Sequence, residues 1–260
     1  MRGTHAMTTG ATHPFPERLR SGERLLGVVA TLATPSAVEI LVHAGFDWLW
    51  LDMEHGPLDV STAIGMVQAR GDCPVLVRAP ANDRVWIKRV LDLHCDGVIL
   101  PHVSDPDAAR AAVDAAHYPP RGTRSFGVSR AHAYGARIEH AMRHASDETA
   151  VVVQIEDVRA VERVDEIVAV PGIDAAVVGP FDLSGSMGRL GETSHPEVVK
   201  AIERVAAVCA ARGVAAGIFA PSLEQARAYL GLGYRLVALG VDAMILLRAA
   251  TELRGALDRG

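Results

Sequence analysis

Short runs of consecutive apolar residues recur along the chain: Leu25–Leu32, Trp48–Leu51, Pro74–Val77, Gly97–Leu100, Val151–Ile155, Ala175–Val178, Val214–Phe219 and Leu236–Leu239. They are rich in β-branched residues and apolar at successive positions. That pattern suits strands buried on both faces, as in a parallel sheet. Between them lie stretches with 3.6-residue periodicity. Pro35–His43 opens after Thr34, Val60–Ala69 after Asp59 and Val85–Leu93 after Asp83, each with a capping residue in place. Asp105–Tyr118 begins Asp-Pro-Asp, a cap followed by proline at the first helical position. Arg159–Val168 comes next, then a helix from His195-Pro196 to Arg212 that Gly213 ends. Ser222–Leu230 and Met244–Leu257 complete the set.

Strands alternating with helices predict right-handed βαβ units and a parallel sheet. The expected fold class is α/β, a single (β/α)8 TIM barrel. A doubly wound open sheet is the competing architecture. It is disfavoured because no Gly-x-Gly-x-x-Gly follows the first run and the motifs described below spread over several strand ends. The segment from Pro119 to Glu148 breaks the alternation and is long for a connection, which suggests a lid or an oligomer contact.

Residues 1–16 are polar and rich in small residues and proline, without the apolar core of a signal peptide. They are expected to be disordered or extraneous to the natural chain, with Met7 as a second start. Residues 17–260 are then the catalytic barrel domain. Hydrophobic residues form 49% of the 260-residue chain, enough for one large core. A net charge of −5 without a basic cluster argues against nucleic acid or an anionic membrane as partner. No apolar run approaches the ~20 residues of a membrane helix. Cys73, Cys95 and Cys209 show no zinc spacing and read as buried thiols in a reducing compartment, so a cytoplasmic location is expected.

Four motifs stand at expected strand ends: Asp52-Met53-Glu54-His55, Val77-Arg78, Gln154-Ile155-Glu156 and Gly179-Pro180-Phe181-Asp182-Leu183-Ser184. Barrel active sites sit at the C-terminal ends of the strands. Alternation places Gln154 and Glu156 on the same face as Val152, so both approach the mouth if Val152 points inward. Glu156 and Asp182, after adjacent strands, suit a divalent cation whose shell is completed by water and substrate. The alternative is that each caps a helix or pairs with arginine. His55 can move protons near neutral pH, with Asp52 or Glu54 as its carboxylate neighbour. Arg78 can bind a carboxylate or enolate oxygen through paired hydrogen bonds, or form a salt bridge to a neighbouring loop. Arg124 and Arg130 could reach the far end of a substrate, although a solvated surface role is the commoner fate of such residues. Gly185-Ser186-Met187-Gly188 reads as a turn, and no Gly-x-Ser-x-Gly elbow is present.

Taken together, these motifs resemble the HpcH/HpaI aldolase family. The likeness extends to Gly56-Pro57 after His55, Ala79-Pro80 after Arg78, Tyr118-Pro119-Pro120-Arg121-Gly122-Thr123-Arg124, and His195-Pro196-Glu197. It spans roughly 25–257. The resemblance implies a metal-dependent carbon–carbon lyase that reversibly cleaves a 4-hydroxy-2-oxo acid to pyruvate and an aldehyde through a pyruvate enolate. A citryl- or malyl-CoA-type lyase or an oxaloacetate decarboxylase is the alternative on the same scaffold.

Carried over by residue, the resemblance implies that Glu156 and Asp182 hold Mg²⁺ or Mn²⁺, with Co²⁺ as a further candidate. Arg78 stabilises the enolate, His55 transfers protons and Asp52 orients it. Gln154, Ser184 and Arg124 join Arg78 in binding substrate, and Asp92 enters a neighbouring subunit's site. It also implies a hexamer, a trimer of dimers, with the last helix exchanged between barrels. The departure lies in Ser125–His132, which does not follow members acting on 4-hydroxy-2-oxo-heptanedioate. The only lysines, Lys88 and Lys200, fall in expected helices, which disfavours a Schiff base.

Overall fold

The computed structural model describes residues 13–257. Eight parallel strands close in sequential order into a barrel. They are β1 Leu25–Ala30, β2 Trp48–Asp52, β3 Val75–Arg78, β4 Gly97–Leu100, β5 Ala150–Ile155, β6 Ala175–Val178, β7 Ala215–Ala220 and β8 Leu236–Val241. Helix α1 Phe15–Arg20 precedes β1. Helices α2 Pro35–His43, α3 Val60–Gln68, α4 Arg84–Leu91 and α5 Pro106–Ala116 follow the first four strands in turn. Then α6 Ile138–Glu148 leads into β5, α7 Val158–Glu162 and α8 Val164–Val168 follow it, and α9 Pro180–Ser186 and α10 Pro196–Arg212 follow β6. Helix α11 Leu223–Gly231 follows β7, and α12 Asp242–Leu257 follows β8. The (β/α)8 barrel expected from the hydrophobic runs is the fold observed.

Alternation along each strand sorts the apolar residues into two clusters. Trp48, Trp50, Leu76, Ile99, Val152 and Val177 belong to one that fills the barrel. Leu49, Leu51, Val77, Val98, Val151 and Val153 belong to the other, which takes up the helices outside. Val152 therefore points inward, as the placement of Gln154 and Glu156 at the mouth requires. Gly27 leaves the space that the Trp48 indole occupies, since a Cβ there would collide with the ring.

The floor of the barrel carries a repeat that hydropathy alone does not show. Gly45-Phe46-Asp47, His94-Cys95-Asp96 and Gly172-Ile173-Asp174 precede β2, β4 and β6. In each triplet the first residue turns the chain with a positive φ, of 84°, 65° and 99° respectively. The aspartate then accepts a hydrogen bond from the preceding strand: Asp47 from Leu26 N at 2.8 Å, Asp96 from Val75 N at 2.8 Å and Asp174 from Val151 N at 2.9 Å. These clasps pair the strands two by two. Before β8 the same turn ends in Arg235 instead.

Three helices depart from the sequence expectation. Residues 1–12 of the segment expected to lie outside the fold are beyond the described residues, but α1 begins inside that segment. Its Phe15 and Leu19 are buried, and Phe15 packs against Trp48 with ring centroids 6.3 Å apart. The strand-end motif at Gly179 turns at once into α9, with Pro180 at the first position.

The segment 119–148 is not a structureless lid. It holds a 3-10 turn over Arg130–Gly135 and then α6. It runs from the end of α5 to the start of β5, along the N-terminal pole of the barrel. Within it His132 is buried, with its ring nitrogens 2.8 Å from Tyr118 Oη and 3.1 Å from Ser129 Oγ. Among the described residues no helix is long and apolar enough to cross a membrane.

His117, just after α5, is buried and its Nδ1 has no hydrogen-bond partner. Burial, helped by Arg121 and Arg124, pushes its pKa down to about 4. Above pH ~6.5 the ring is neutral in both folded and unfolded chains. As pH falls towards 4 only the unfolded chain takes the proton, so the folded state loses up to about 3 kcal/mol. His132, lowered first by burial, adds to the loss with the same sign. Urea denaturation should therefore show a stability drop between pH 7 and pH 4.5 that is smaller in His117→Asn. Equal drops in both proteins would contradict this assignment.

Candidate active site

The site grows from the C-terminal ends of neighbouring strands. Asp52 of β2 and Arg78 of β3 are register partners, so their side chains emerge side by side into the barrel mouth. Both are buried, and they meet in a two-pronged pair: Arg78 Nε to Asp52 Oδ1 at 2.8 Å and Nη2 to Oδ2 at 2.5 Å. The guanidinium lies 5.2 Å from the centre of the Trp50 ring, which floors the site. Its remaining nitrogen, Nη1, stands 2.9 Å from Glu54 Oε2 and donates to Gln154 Oε1 at 3.4 Å.

Across the mouth, Gln154 Nε2 donates to Glu156 Oε2. Glu156 Oε1 accepts the backbone N–H of His102 at 2.6 Å and lies 3.0 Å from the same residue's Nδ1. The His102 ring continues to Glu54 Oε1 at 3.2 Å. His102 follows β4 in Pro101-His102 and carries a positive φ of 57°, which turns its N–H onto the carboxylate. Sequence reading missed it. The available signal was a histidine immediately after a strand, as for His55, but the left-handed backbone that aims it is invisible in a single sequence.

Glu156 is buried, and this pushes its carboxyl pKa up; the charges of Glu54 and Asp182 push the same way, while the His102 contacts oppose them. Asp182 is exposed in the first turn of α9, where the helix N-terminus favours a carboxylate. Glu54, Glu156 and Asp182 thus share a mouth whose buried Arg78 is divided between Asp52 and Glu54. Such a surplus of hard oxygen donors suits a divalent cation. Among the described residues no group of three or more His, Cys, Asp or Glu is disposed to hold a metal. The carboxylates of Glu156 and Asp182 fit a site in which water and substrate oxygens would supply the remaining ligands.

The other expected residues divide. The His55 ring is largely exposed and 3.9 Å from Glu54 Oε2, beyond hydrogen-bond reach. The expectation that Asp52 orients that ring is corrected: the Asp52 carboxylate is taken by Arg78. It reaches His55 only through the main chain, accepting from Glu54 N at 3.1 Å and His55 N at 3.3 Å.

Ser184 is not free to bind a ligand. Its buried hydroxyl donates to Phe181 O at 2.6 Å and accepts from Gly191 N at 3.0 Å. Asp92, the C-cap of α4, and Arg124 are paired at 2.7 Å, with Arg124 stacked 4.6 Å from the Tyr118 ring. Both stand at the N-terminal pole, away from this chain's own mouth, because α4 and the connection after α5 end there. Lys88 and Lys200 lie in α4 and α10, outside the mouth.

Fold and site together define a barrel with a buried arginine–aspartate pair, two histidines and a cluster of carboxylates at the C-terminal ends of its strands. The HpcH/HpaI aldolase/citrate lyase family model matches residues 26–249. A hydroxypyruvate/pyruvate aldolase of Pseudomonas aeruginosa is 38% identical over 250 residues, covering 95% of this chain and 93% of its own. A 4-hydroxy-2-oxo-heptane-1,7-dioate aldolase of Escherichia coli is 39% identical over 242 residues, covering 92% of each. The solved structure of a family member from Burkholderia cenocepacia superposes with a TM-score of 0.91 at 38% identity, covering 94% of this chain and 98% of that one. The chain belongs to the HpcH/HpaI aldolase/citrate lyase family, and it is a carbon–carbon lyase of the aldolase type.

Removing one member of a buried ion pair leaves the other uncompensated, at a cost of about 3–5 kcal/mol. Asp52→Ala should therefore destabilise the protein by that amount in urea denaturation at pH 7, and Asp52→Asn by less. A loss below about 1 kcal/mol for Asp52→Ala would show that Glu54 and Gln154 suffice to hold Arg78.

Proposed function

We propose that the protein reversibly cleaves a 4-hydroxy-2-oxo acid to pyruvate and an aldehyde. The observation that supports it most is the meeting of Arg78, Gln154 and Glu156 at one barrel mouth. Cleavage leaves pyruvate as an enolate, and developing negative charge on the keto oxygen needs a fixed cation nearby. Arg78 is such a cation, its plane held by Asp52 and Trp50 so that Nη1 faces the mouth.

Glu156 and Asp182 are the residues that would hold a divalent cation, Mg²⁺, Mn²⁺ or Co²⁺. When bound, that ion supplies a Lewis acid that gathers the oxo-acid oxygens and offsets the enolate charge. Gln154 fixes one Glu156 oxygen and His102 the other, so the carboxylate is oriented before substrate arrives. His55, exposed at the rim, would take the proton from the 4-hydroxyl and return one to the enolate carbon. The two relatives described above are aldolases by name, which favours cleavage of a hydroxy-oxo acid over the thioester-lyase and decarboxylase alternatives.

The distal half of the substrate finds few partners on this chain's own mouth. Asp92 and Arg124 lie at the opposite pole, where a neighbouring subunit's site can receive them. Beyond its start, α12 leaves Leu246, Leu247, Leu253 and Leu257 60%, 69%, 75% and 83% exposed. An apolar helix face of that kind supports exchange of α12 between barrels and a hexameric assembly. The three unpaired cysteines support a reducing, cytoplasmic setting.

Exchange of the pyruvate methyl protons in D₂O, followed by NMR, tests enolate formation without knowledge of the aldehyde. Exchange should require Mg²⁺, stop with EDTA and fall by roughly 10²–10⁴-fold in His55→Ala. Exchange undiminished by EDTA would overturn the metal-dependent reading.

A further inference from the structure

Helix α6 carries a metal-ligating type of side chain at every fourth position of one face: His140, His144 and Glu148. Residues four apart on a helix are neighbours one turn on. The two imidazoles accordingly lie together, with ring centroids 4.8 Å apart and planes tilted by 40°. The Glu148 carboxylate reaches back along the helix to His140 Nε2, with Oε1 at 2.9 Å and Oε2 at 3.2 Å. His140 is half-buried and His144 is exposed.

The surrounding charges leave the pair of rings to itself. Arg137 and Arg143 share a surface depression with the two histidines and Glu139. Arg143 is taken by Glu139 at 3.1 Å, and Asp147 by Arg121 at 2.6 Å. His140 Nδ1 and both ring nitrogens of His144 have no hydrogen-bond partner among the described residues. Glu148 therefore fixes one nitrogen of His140 and leaves the other for a ligand. A carboxylate behind one nitrogen of an imidazole is the usual support of a metal-ligating histidine. Two histidines at i and i+4 on one helix face form a chelating pair that the backbone holds in place.

We propose that His140 and His144 bind one borderline divalent transition-metal ion, of the zinc, nickel or copper kind, with Glu148 as the residue that positions His140. Among the described residues no group of three or more His, Cys, Asp or Glu is disposed to hold a metal, so water completes the shell of this two-histidine site. Donor chemistry separates it from the catalytic mouth. Imidazole nitrogens suit zinc, nickel and copper, whereas the carboxylates of the mouth suit magnesium and manganese. An ion held this way spans successive turns of α6 and fastens the helix that leads into β5. The site is independent of the aldolase reading, because α6 supplies no residue to the mouth.

Copper(II) EPR on the full-length protein, in excess Mg²⁺ to occupy the mouth, tests this. One Cu²⁺ per chain is expected, with the superhyperfine splitting of directly bound nitrogen. His144→Ala, at an exposed side chain, should abolish that signal without disturbing packing, and His140→Ala should do the same. Glu148→Ala should weaken binding by at least about tenfold while keeping the nitrogen signature. His13→Ala and Glu156→Gln should leave signal and affinity unchanged. A signal without nitrogen splitting in the wild type would overturn the proposal. So would wild-type affinity in either histidine variant of α6, or loss of the signal in His13→Ala or Glu156→Gln, which would place the ion elsewhere.

Discussion

The buried, two-pronged pairing of Asp52 with Arg78 constrains the candidate site more than any other contact. Two ionised groups are removed from water at the ends of adjacent strands, and Asp52 has its two-pronged ionic partner in Arg78, which also meets Glu54 at 2.9 Å. Strand register puts them side by side, so the barrel itself holds the pair, and no loop has to find it. With Nε and Nη2 committed to Asp52, the orientation of Nη1 follows, and with it the place where a developing oxyanion would be met. The same Asp52 oxygen accepts the N–H groups of Glu54 and His55 and so ties the loop that carries His55 to Arg78. In the proposed reaction one carboxylate would thereby couple the cation to the proton-transfer group.

Around this pair the mouth carries more negative charge than the protein neutralises. Glu156 is made harder to ionise by burial and by Glu54 and Asp182. Gln154 and His102 hold its two oxygens in place. In the proposed function a hard divalent cation would offset that surplus. At the opposite pole charges of both signs meet: Asp92 pairs with Arg124 and Arg70 with Asp96, while Asp47, Asp96 and Asp174 clasp neighbouring strands.

Much of this was legible in the chain. Strands buried on both faces leave continuous apolar runs, so the eight strands could be read directly, and the strand-end positions of Asp52, Arg78, Gln154 and Glu156 followed. Alternation from Val152 placed two of them correctly at the mouth. What could not be read depends on the backbone or on competition between partners. The left-handed turn at His102 aims an N–H at Glu156, and no local pattern encodes it. Asp52 had two neighbours to choose from, His55 and Arg78, and the register favoured the arginine. Ser184 looked like part of a ligand motif, but its hydroxyl closes a turn within α9. Phe15 carried too little context to be recognised as the floor of the barrel, and the 119–148 segment hid α6 because its polar face dominates.

Manganese binding followed by EPR would test the central claim most directly, that Glu156 and Asp182 of this mouth hold the cation on which the lyase depends. Wild-type protein should bind one Mn²⁺ per chain, with at least about tenfold weaker binding in both Glu156→Gln and Asp182→Asn, and addition of pyruvate should change the wild-type spectrum. Wild-type affinity in both variants, or a spectrum indifferent to pyruvate, would contradict it.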